Sequence, residues 1–310
     1  AYKHLMREKS IIIKPANENN VYSYELHQKV ISVALFKKKN NTIYFSMVFG
    51  DNSVACIELI EGVMRARTFY QFDCGLDDMF FSYSARNIYG YSKRKSILYI
   101  IQVYKNISEI PLYTEQPLFS SAQDFIFFCS NQCSISKIEK TSHVITKFCS
   151  SDSTITRLNA SFLYNTLVYA TMNGFIHFYE ISSAKEINKV DIHDQIVDII
   201  ISANSGFVNI MTDNKIDAFT INGEFISSFK IGMTIKKLFP FYTKEGFDYI
   251  SFATVTNELG FFDAAYPDKY TIVKKYGSLI QKISFDPREQ MFIVILENGY
   301  IELLPYSFVV

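Results

Sequence analysis

The chain has no tryptophan, and its 310 residues include only 7 prolines, 12 glycines and 5 cysteines. Such sparse Pro and Gly exclude collagen-like and low-complexity chains, whose backbones need these residues in bulk. The odd cysteine count excludes a closed disulfide framework, and a chain of this length can bury roughly three quarters of its unfolded surface without one. Cys56, Cys74, Cys129, Cys133 and Cys149 therefore read as ordinary thiols in a reducing compartment. Cys129 and Cys133, in "CSNQC", offer half a zinc site, but no second Cys or His pair stands at ligand spacing. Net charge is missing too: 31 basic residues balance 31 acidic ones. That balance removes the broad attraction a nucleic-acid or anionic-lipid partner would exploit, so no nucleic acid is expected. No apolar run reaches the length of a membrane span, and no signal peptide is recognisable. Membrane contact is expected only indirectly or through domains outside this chain. The sequons at Asn40, Asn106 and Asn159 read as chance.

Catalytic signatures are absent as well. There is no phosphate-cradling Gly-rich loop, no GxSxG and no HExxH. The five histidines, at 4, 27, 143, 177 and 193, are isolated, and His143 and His177 read as strand residues. The expectation is therefore no enzyme, no cofactor and no metal. Carboxylates from distant segments that meet only in the fold would escape such a reading.

What is present is abundant Tyr (21) and Phe (28), with apolar and polar residues alternating in run after run. This is the pattern of half-buried antiparallel strands. Short polar turns interrupt it: "GDNS", "SKRKS", "SNQC", "TMNGF", "TDNK", "TNEL" and "ENGY". Anchored at residues 52, 94, 131, 173, 213, 257 and 298, their spacings are 42, 37, 42, 40, 44 and 41. Asn, Asp and Gly suit such turns because a two-residue hairpin needs positive φ. Three to four strands fit each period, and a four-strand unit of about 40 to 45 residues is a β-propeller blade.

The expected fold is all-β, a propeller of seven blades with four antiparallel strands each. First strands are expected near Val30, Met79, Pro117, Thr154, Ile196, Ile235 and Ile280. The final unit ends after "YIELLPYS" and lacks a fourth strand, which the early run "VYSYELHQK" can supply to close the ring. The pattern is weakest over residues 76–153, so six or eight blades stay open as alternatives. Residues 1–20 read as a lead-in segment or linker from an upstream domain, and 21–310 as the propeller. The opening "AYKHLMREKS" reads as mid-chain sequence.

With the repeat established, "NGFIHFYEISSAKEINKVDIHDQIVDI" resembles a divergent WD40 unit, with Tyr179-Glu180 where that family has Trp-Asp. The resemblance implies structural roles for Asn173 and Gly174 in the turn, and for His193 and Asp198 in a hydrogen-bond network that locks the blade. Residues 193–235 are similar to late blades of the C-terminal propeller of BEACH-domain proteins, the beige and neurobeachin group, through the turn Ile221-Asn222-Gly223-Glu224. This implies structural roles for Asn222 and Gly223. It also implies a large cytoplasmic scaffold for membrane trafficking, peripheral to endomembranes.

Among exposed elements, Lys93, Arg94 and Lys95 replace the Asn-type turn of the other units. They are placed to grip phosphate headgroups or an acidic peptide, or simply to keep an exposed hairpin from pairing with another chain. Lys37, Lys38 and Lys39 are expected in a loop on the opposite rim. The leading expectation is a non-catalytic scaffold that binds other proteins or peptides on a propeller rim. Its alternatives are a propeller of a coat, tethering or nuclear-pore-type assembly, and an enzyme working in the central channel.

Overall fold

The computed structural model describes residues 10–13, 22–26, 29–39, 42–60, 63–82, 87–102, 106–122, 124–161, 163–242, 247–286 and 291–305. It is an all-β propeller of seven blades, each an antiparallel sheet. Blade 1 comprises Val30–Lys39, Thr42–Phe49, Ser53–Ile60 and Val63–Gln71, and blade 2 comprises Asp78–Ser82, Asn87–Ser92, Ile97–Gln102 and Ile107–Pro111. Blade 3 runs through Phe119–Ser121, Phe125–Asn131, Ser134–Glu139 and Ile145–Ser150, and blade 4 through Ile155–Ala160, Thr166–Thr171, Phe175–Glu180 and Lys185–Asp191. Blade 5 holds Ile196–Ile201, Val208–Thr212, Lys215–Phe219 and Phe225–Lys230, and blade 6 holds Ile235–Tyr242, Asp248–Thr254, Glu258–Asp263 and Tyr270–Lys275. Blade 7 takes Ile280–Asp286, Met291–Leu296 and Tyr300–Pro305 from the end of the chain and Tyr22–Glu25 from its beginning.

The closing strand is the one expected: Tyr22 pairs with Leu303 and Tyr24 with Ile301. Blade 1 departs from the four-strand rule. Ser10–Ile13, inside the segment read as a lead-in, pairs antiparallel with Val63–Gln71 and makes its sheet five-stranded. By packing density the chain falls into two compact units, Ala1–Glu109 with Tyr276–Val310, and Ile110–Lys275.

Burial explains why the strands differ in composition. The second and third strands of a blade are covered on both faces, so "TLVYAT" and "MFIVIL" are buried at every position. Strands enclosed on both sides read as continuous apolar runs rather than alternating ones. The fourth strand is the outer edge, and "KEINKVD" in blade 4 is mostly exposed. The cores lie between sheets. Val168, Ala170, Ile176 and Phe178 of blade 4 pack against Ile199, Ile201, Val208, Ile210 and Phe219 of blade 5. Tyr24 enters the core shared by blades 7 and 1, with Met47, Ile57, Ile293 and Ile301.

The turns between second and third strands correct one expectation. In blades 1, 4, 6 and 7 the loop has three residues rather than two, ending in Asn52, Gly174, Asn257 or Gly299. Those residues have φ of 67°, 86°, 67° and 88°. Their amides donate to the carbonyls of Phe49, Thr171, Thr254 and Leu296 at 2.9, 3.0, 3.2 and 3.1 Å. A turn closed by such a bond and followed by a left-handed residue is the three-residue hairpin, which demands Gly or Asn at its last position. Lys37–Lys39 is a second correction. It is strand, because the first hairpin pairs through to Lys39 opposite Thr42.

A recurring irregularity marks the first strands. The ladder skips one residue at the same place in five blades: Ile31, Thr156, Val197, Lys236 and Gln281. A bulge bends the strand, sharpens its twist and leaves the extra residue unpaired.

Ring closure makes a direct prediction. Tyr24→Ala should cost roughly 3–5 kcal/mol, the range for losing a fully buried aromatic. In urea titration the midpoint should fall while the denaturant slope stays unchanged.

Candidate functional site

Within each unit the first strands of successive blades lie side by side, those of blades 7, 1 and 2 and those of blades 3 to 6. In blades 3 to 6 their polar side chains reach across to the backbone of the next blade. Arg157 Nε donates to the carbonyl of Val197 at 2.6 Å, and Nη1 donates to the carbonyl of Thr156 at 2.6 Å. Both carbonyls belong to bulge residues, so one guanidinium satisfies groups that two bulges release from the ladder. Asp198 answers from the other side, accepting from the Leu238 amide at 3.0 Å and the Ile199 amide at 2.9 Å. Asn159 Oδ1 accepts from the Ile201 amide at 3.3 Å, and Ser120 Oγ from the Ala160 amide at 2.8 Å. Burial raises the Asp198 carboxyl pKa, against these amides and the nearby Lys237 and Arg157. Arg157 and Asp198 are thus committed to blade-to-blade clamping.

At the rim where first strands turn into second strands, three blades interlock. The Tyr164 hydroxyl donates to the carbonyl of Asn204. Asn204 Nδ2 donates to the carbonyl of Phe247 at 2.6 Å. The Asp248 carboxylate accepts from Ser202 Oγ at 2.6 Å, the Asn204 amide at 3.3 Å and the Ser205 amide at 3.0 Å. Gly206 has φ of 74°, and a Cβ there would stand 2.7 Å from Ile221 and 2.8 Å from the Tyr164 ring. On this braced surface Leu163 is 64% and Phe247 52% exposed, flanking the loop of blade 5 on either side.

His193 and Asp198 have different partners. Exposed His193 lies 3.1 Å through Nδ1 from Asp191, while Asp198 serves the amides described above. Asn173 accepts from the Thr171 hydroxyl at 2.5 Å, and Gly174 receives the Ile192 amide on its carbonyl at 3.0 Å. The carbonyls of Asn222 and Gly223 accept from Asn188 Nδ2 at 3.1 and 3.2 Å, tying the turn of blade 5 to the outer strand of blade 4. Lys93, Arg94 and Lys95 form an exposed turn, in which the Lys95 ammonium pairs with Asp73 and the Lys93 amide donates to Asp77 at 2.6 Å.

His177, read from the sequence as a strand residue, is one, but its surroundings were not foreseen. It is buried on the third strand of blade 4, stacked on Tyr169 at 4.5 Å, with Nδ1 3.3 Å from Glu186 and Nε2 lacking a partner. Lys189 stands opposite it on the next strand. Burial lowers its pKa, opposed by the hydrogen bond that Nδ1 donates to the Glu186 carboxylate. No motif marks it, because its environment is made by strands that meet only in the sheet.

No protein-family profile matches the chain, and no curated protein matches it. Solved structures do. Virginiamycin B lyase from Staphylococcus aureus aligns with a TM-score of 0.66 at 15% identity, over 96% of this chain and 99% of that one. A catalytically inactive variant of that lyase, solved with quinupristin, aligns at 0.67 and 15% identity over the same shares. BBS1N, in complex with ARL6DN, aligns at 0.67 and 12% identity, over 86% of this chain and 89% of that one. The likeness is one of fold. It corrects the expectation that this is not an enzyme: that expectation took a repeated four-strand unit without a catalytic motif as a sign of a purely binding protein. A lyase shares the same architecture over nearly its whole length, so an unremarkable repeat does not argue against catalysis.

Two measurements probe these contacts. Replacing Asp198 by Ala strands the buried Leu238 amide and should cost about 1–3 kcal/mol in urea unfolding. His177, with a folded pKa below its unfolded value of about 6.5, contributes stability that is complete above that value and declines as pH falls. The urea midpoint of the native chain should therefore drop between pH ~8 and pH ~5.5, and His177→Gln should flatten part of that drop.

Proposed function

We propose that the chain is a polypeptide-binding propeller whose display surface is the rim carrying Leu163, Asn204 and Phe247. One observation carries the reading. Two large apolar side chains, Leu163 and Phe247, are exposed to solvent beside the hydrogen bonds that join Tyr164, Asn204 and Asp248, so a partner meets apolar surface next to fixed polar contacts. BBS1N, a propeller of similar fold, was solved in complex with ARL6DN, which supports the use of such a scaffold for protein contact. The finer assignment is the C-terminal propeller of a BEACH-type trafficking scaffold, cytoplasmic and peripheral to endomembranes. It rests on the pattern of residues 193–235. Among the described residues no helix is long and apolar enough to cross a membrane.

A second reading, catalysis, is favoured by the lyase structures. A lyase needs a group that takes up a proton. Exposed His193, 3.1 Å from Asp191, is a histidine–carboxylate pair able to do so.

The test compares the native protein with the double variant Leu163→Asp/Phe247→Asp by affinity purification and mass spectrometry at equal expression and unchanged melting temperature. The platform reading expects a defined set of co-purifying proteins to disappear from the variant, and an unchanged set would overturn it. The catalytic reading expects quinupristin or a related cyclic peptide to be converted by the native chain and not by His193→Ala. Conversion that persists in that variant removes His193 from the reaction.

A further inference from the structure

Blade 1 has the longest outer strand of the seven, Val63–Gln71 with nine residues, where the outer strands of the other blades have four to seven. A long sheet edge is a row of unpaired amides and carbonyls that another extended chain can join. Here one has joined. Ser10–Ile13 lies antiparallel along it, with Ser10 opposite Arg67, Ile11 opposite Ala66, Ile12 opposite Arg65 and Ile13 opposite Met64. Among the described residues the other six sheets stop at four strands.

The resident strand uses only part of this edge. On its inner side Val63–Gln71 pairs with Ser53–Ile60 at eight positions, whereas Ser10–Ile13 covers four, Met64 to Arg67. Val63 and Thr68–Gln71 have no strand partner on the outer side among the described residues. The two faces of the edge also differ. Met64 and Ala66 are buried in the core shared by blades 7 and 1, so the positions opposite them continue an apolar face. On the other face Arg65 is exposed and Arg67 half-buried, and the resident strand sets only Ile12 and Ser10 opposite them, neither a carboxylate.

We infer that the outer edge of blade 1 is a strand-addition site for an extended segment of a partner protein, with Ser10–Ile13 as the chain's own cap on it. The segment it fits has β-branched apolar residues opposite Met64 and Ala66, carboxylates opposite Arg65 and Arg67, and about nine residues in all. The cap shows what the edge accepts, because an extended, Ile-rich strand is already seated there. As part of the same chain it competes at an effective concentration on the order of millimolar, so a partner displaces it through a longer ladder and cross-strand charge pairs. Main-chain hydrogen bonds give that partner affinity, and its alternate side chains fix the register. The edge lies on a different blade from Leu163 and Phe247 and does not rest on the rim reading.

The test uses fluorescence anisotropy with a labelled peptide of about nine residues that alternates Ile and Glu. Controls are the same residues in block order and a version with Lys in place of Glu. Ile11→Pro/Ile12→Pro undoes the cap, because one of two adjacent amides faces the edge and proline has none. This variant should bind the alternating peptide at least about tenfold more tightly than the native chain does. Arg65→Glu added to it should weaken the Glu peptide and favour the Lys peptide. In the native chain, hydrogen–deuterium exchange with excess peptide should quicken at Ser10–Ile13 while Val63–Gln71 stays protected. Equal affinity of the native chain and the proline variant, or indifference to the order of Ile and Glu, overturns the inference. A proline variant that dimerises and ignores the peptide also overturns it, in favour of a second copy of this chain on the edge. If the proline variant does not fold, the native chain decides: exchange at Ser10–Ile13 that excess peptide leaves unchanged overturns the inference. Peptide binding that is lost in Leu163→Asp/Phe247→Asp overturns it in favour of the rim. Binding retained in that variant, while every cellular partner still co-purifies, keeps the edge and removes the rim reading.

Discussion

The sheets of this protein have apolar faces, and within each unit they hide them against the faces of neighbouring sheets. Everything else in the structure follows from that requirement. The middle strands, enclosed on both sides, are rich in Leu, Ile, Val, Phe and Tyr, and even their polar members such as Asn209, Asp217 and Ser251 are buried. The outer strands, exposed on one edge, turn polar. A row of such sheets would leave two uncovered ends, so the chain returns its own beginning to pair with Tyr300–Pro305. Closure is hydrophobic as well as hydrogen-bonded, because Tyr24 brings its ring into the core shared by blades 7 and 1.

Crowding the first strands together raises a second problem. Their bulges leave backbone groups outside the ladder. In blades 4 and 5 the solution is a side chain placed one residue after the bulge, Arg157 or Asp198, which reaches a backbone group of the next blade about 40 residues along. The same charges that a search for catalytic groups would first select are therefore holding blades together. Groups facing solvent on the rims and on the outer side differ in kind: exposed apolar side chains at Leu163 and Phe247, an apolar crevice between blades 5 and 6, and a histidine–carboxylate pair at His193.

Why the repeat was faint over residues 76–153 has a structural cause. Blades 2 and 3 lack the inner-strand bulge shared by the other five. Their turns also differ in length, with four residues at 93–96 and two at 132–133, where four of the remaining blades use three. Periodicity read from Asn and Gly weakens where the turn has no left-handed residue or fills that position with another side chain. In the basic turn of blade 2 the left-handed position is filled by Ser96, with φ of 53°, so no Asn or Gly marks it, and Lys93–Lys95 lies in a longer loop tied to Asp73 and Asp77.

The sequence alone determined the class of fold, the repeat period, the approximate positions of the first strands and the identity of the closing strand, while the structure settled the count of seven blades. Those follow from local physics: alternation, turn chemistry and a fixed spacing are properties of neighbouring residues. Only the tertiary structure decided that Asp198 serves Leu238 rather than His193, that His177 is buried against Glu186 and Tyr169, and that Phe229, Met233 and Tyr270 line one crevice. Each of these depends on which side chains of different strands or adjacent blades come face to face. That pairing is set by bulge, twist and register, whose combined effect no single stretch of the chain records.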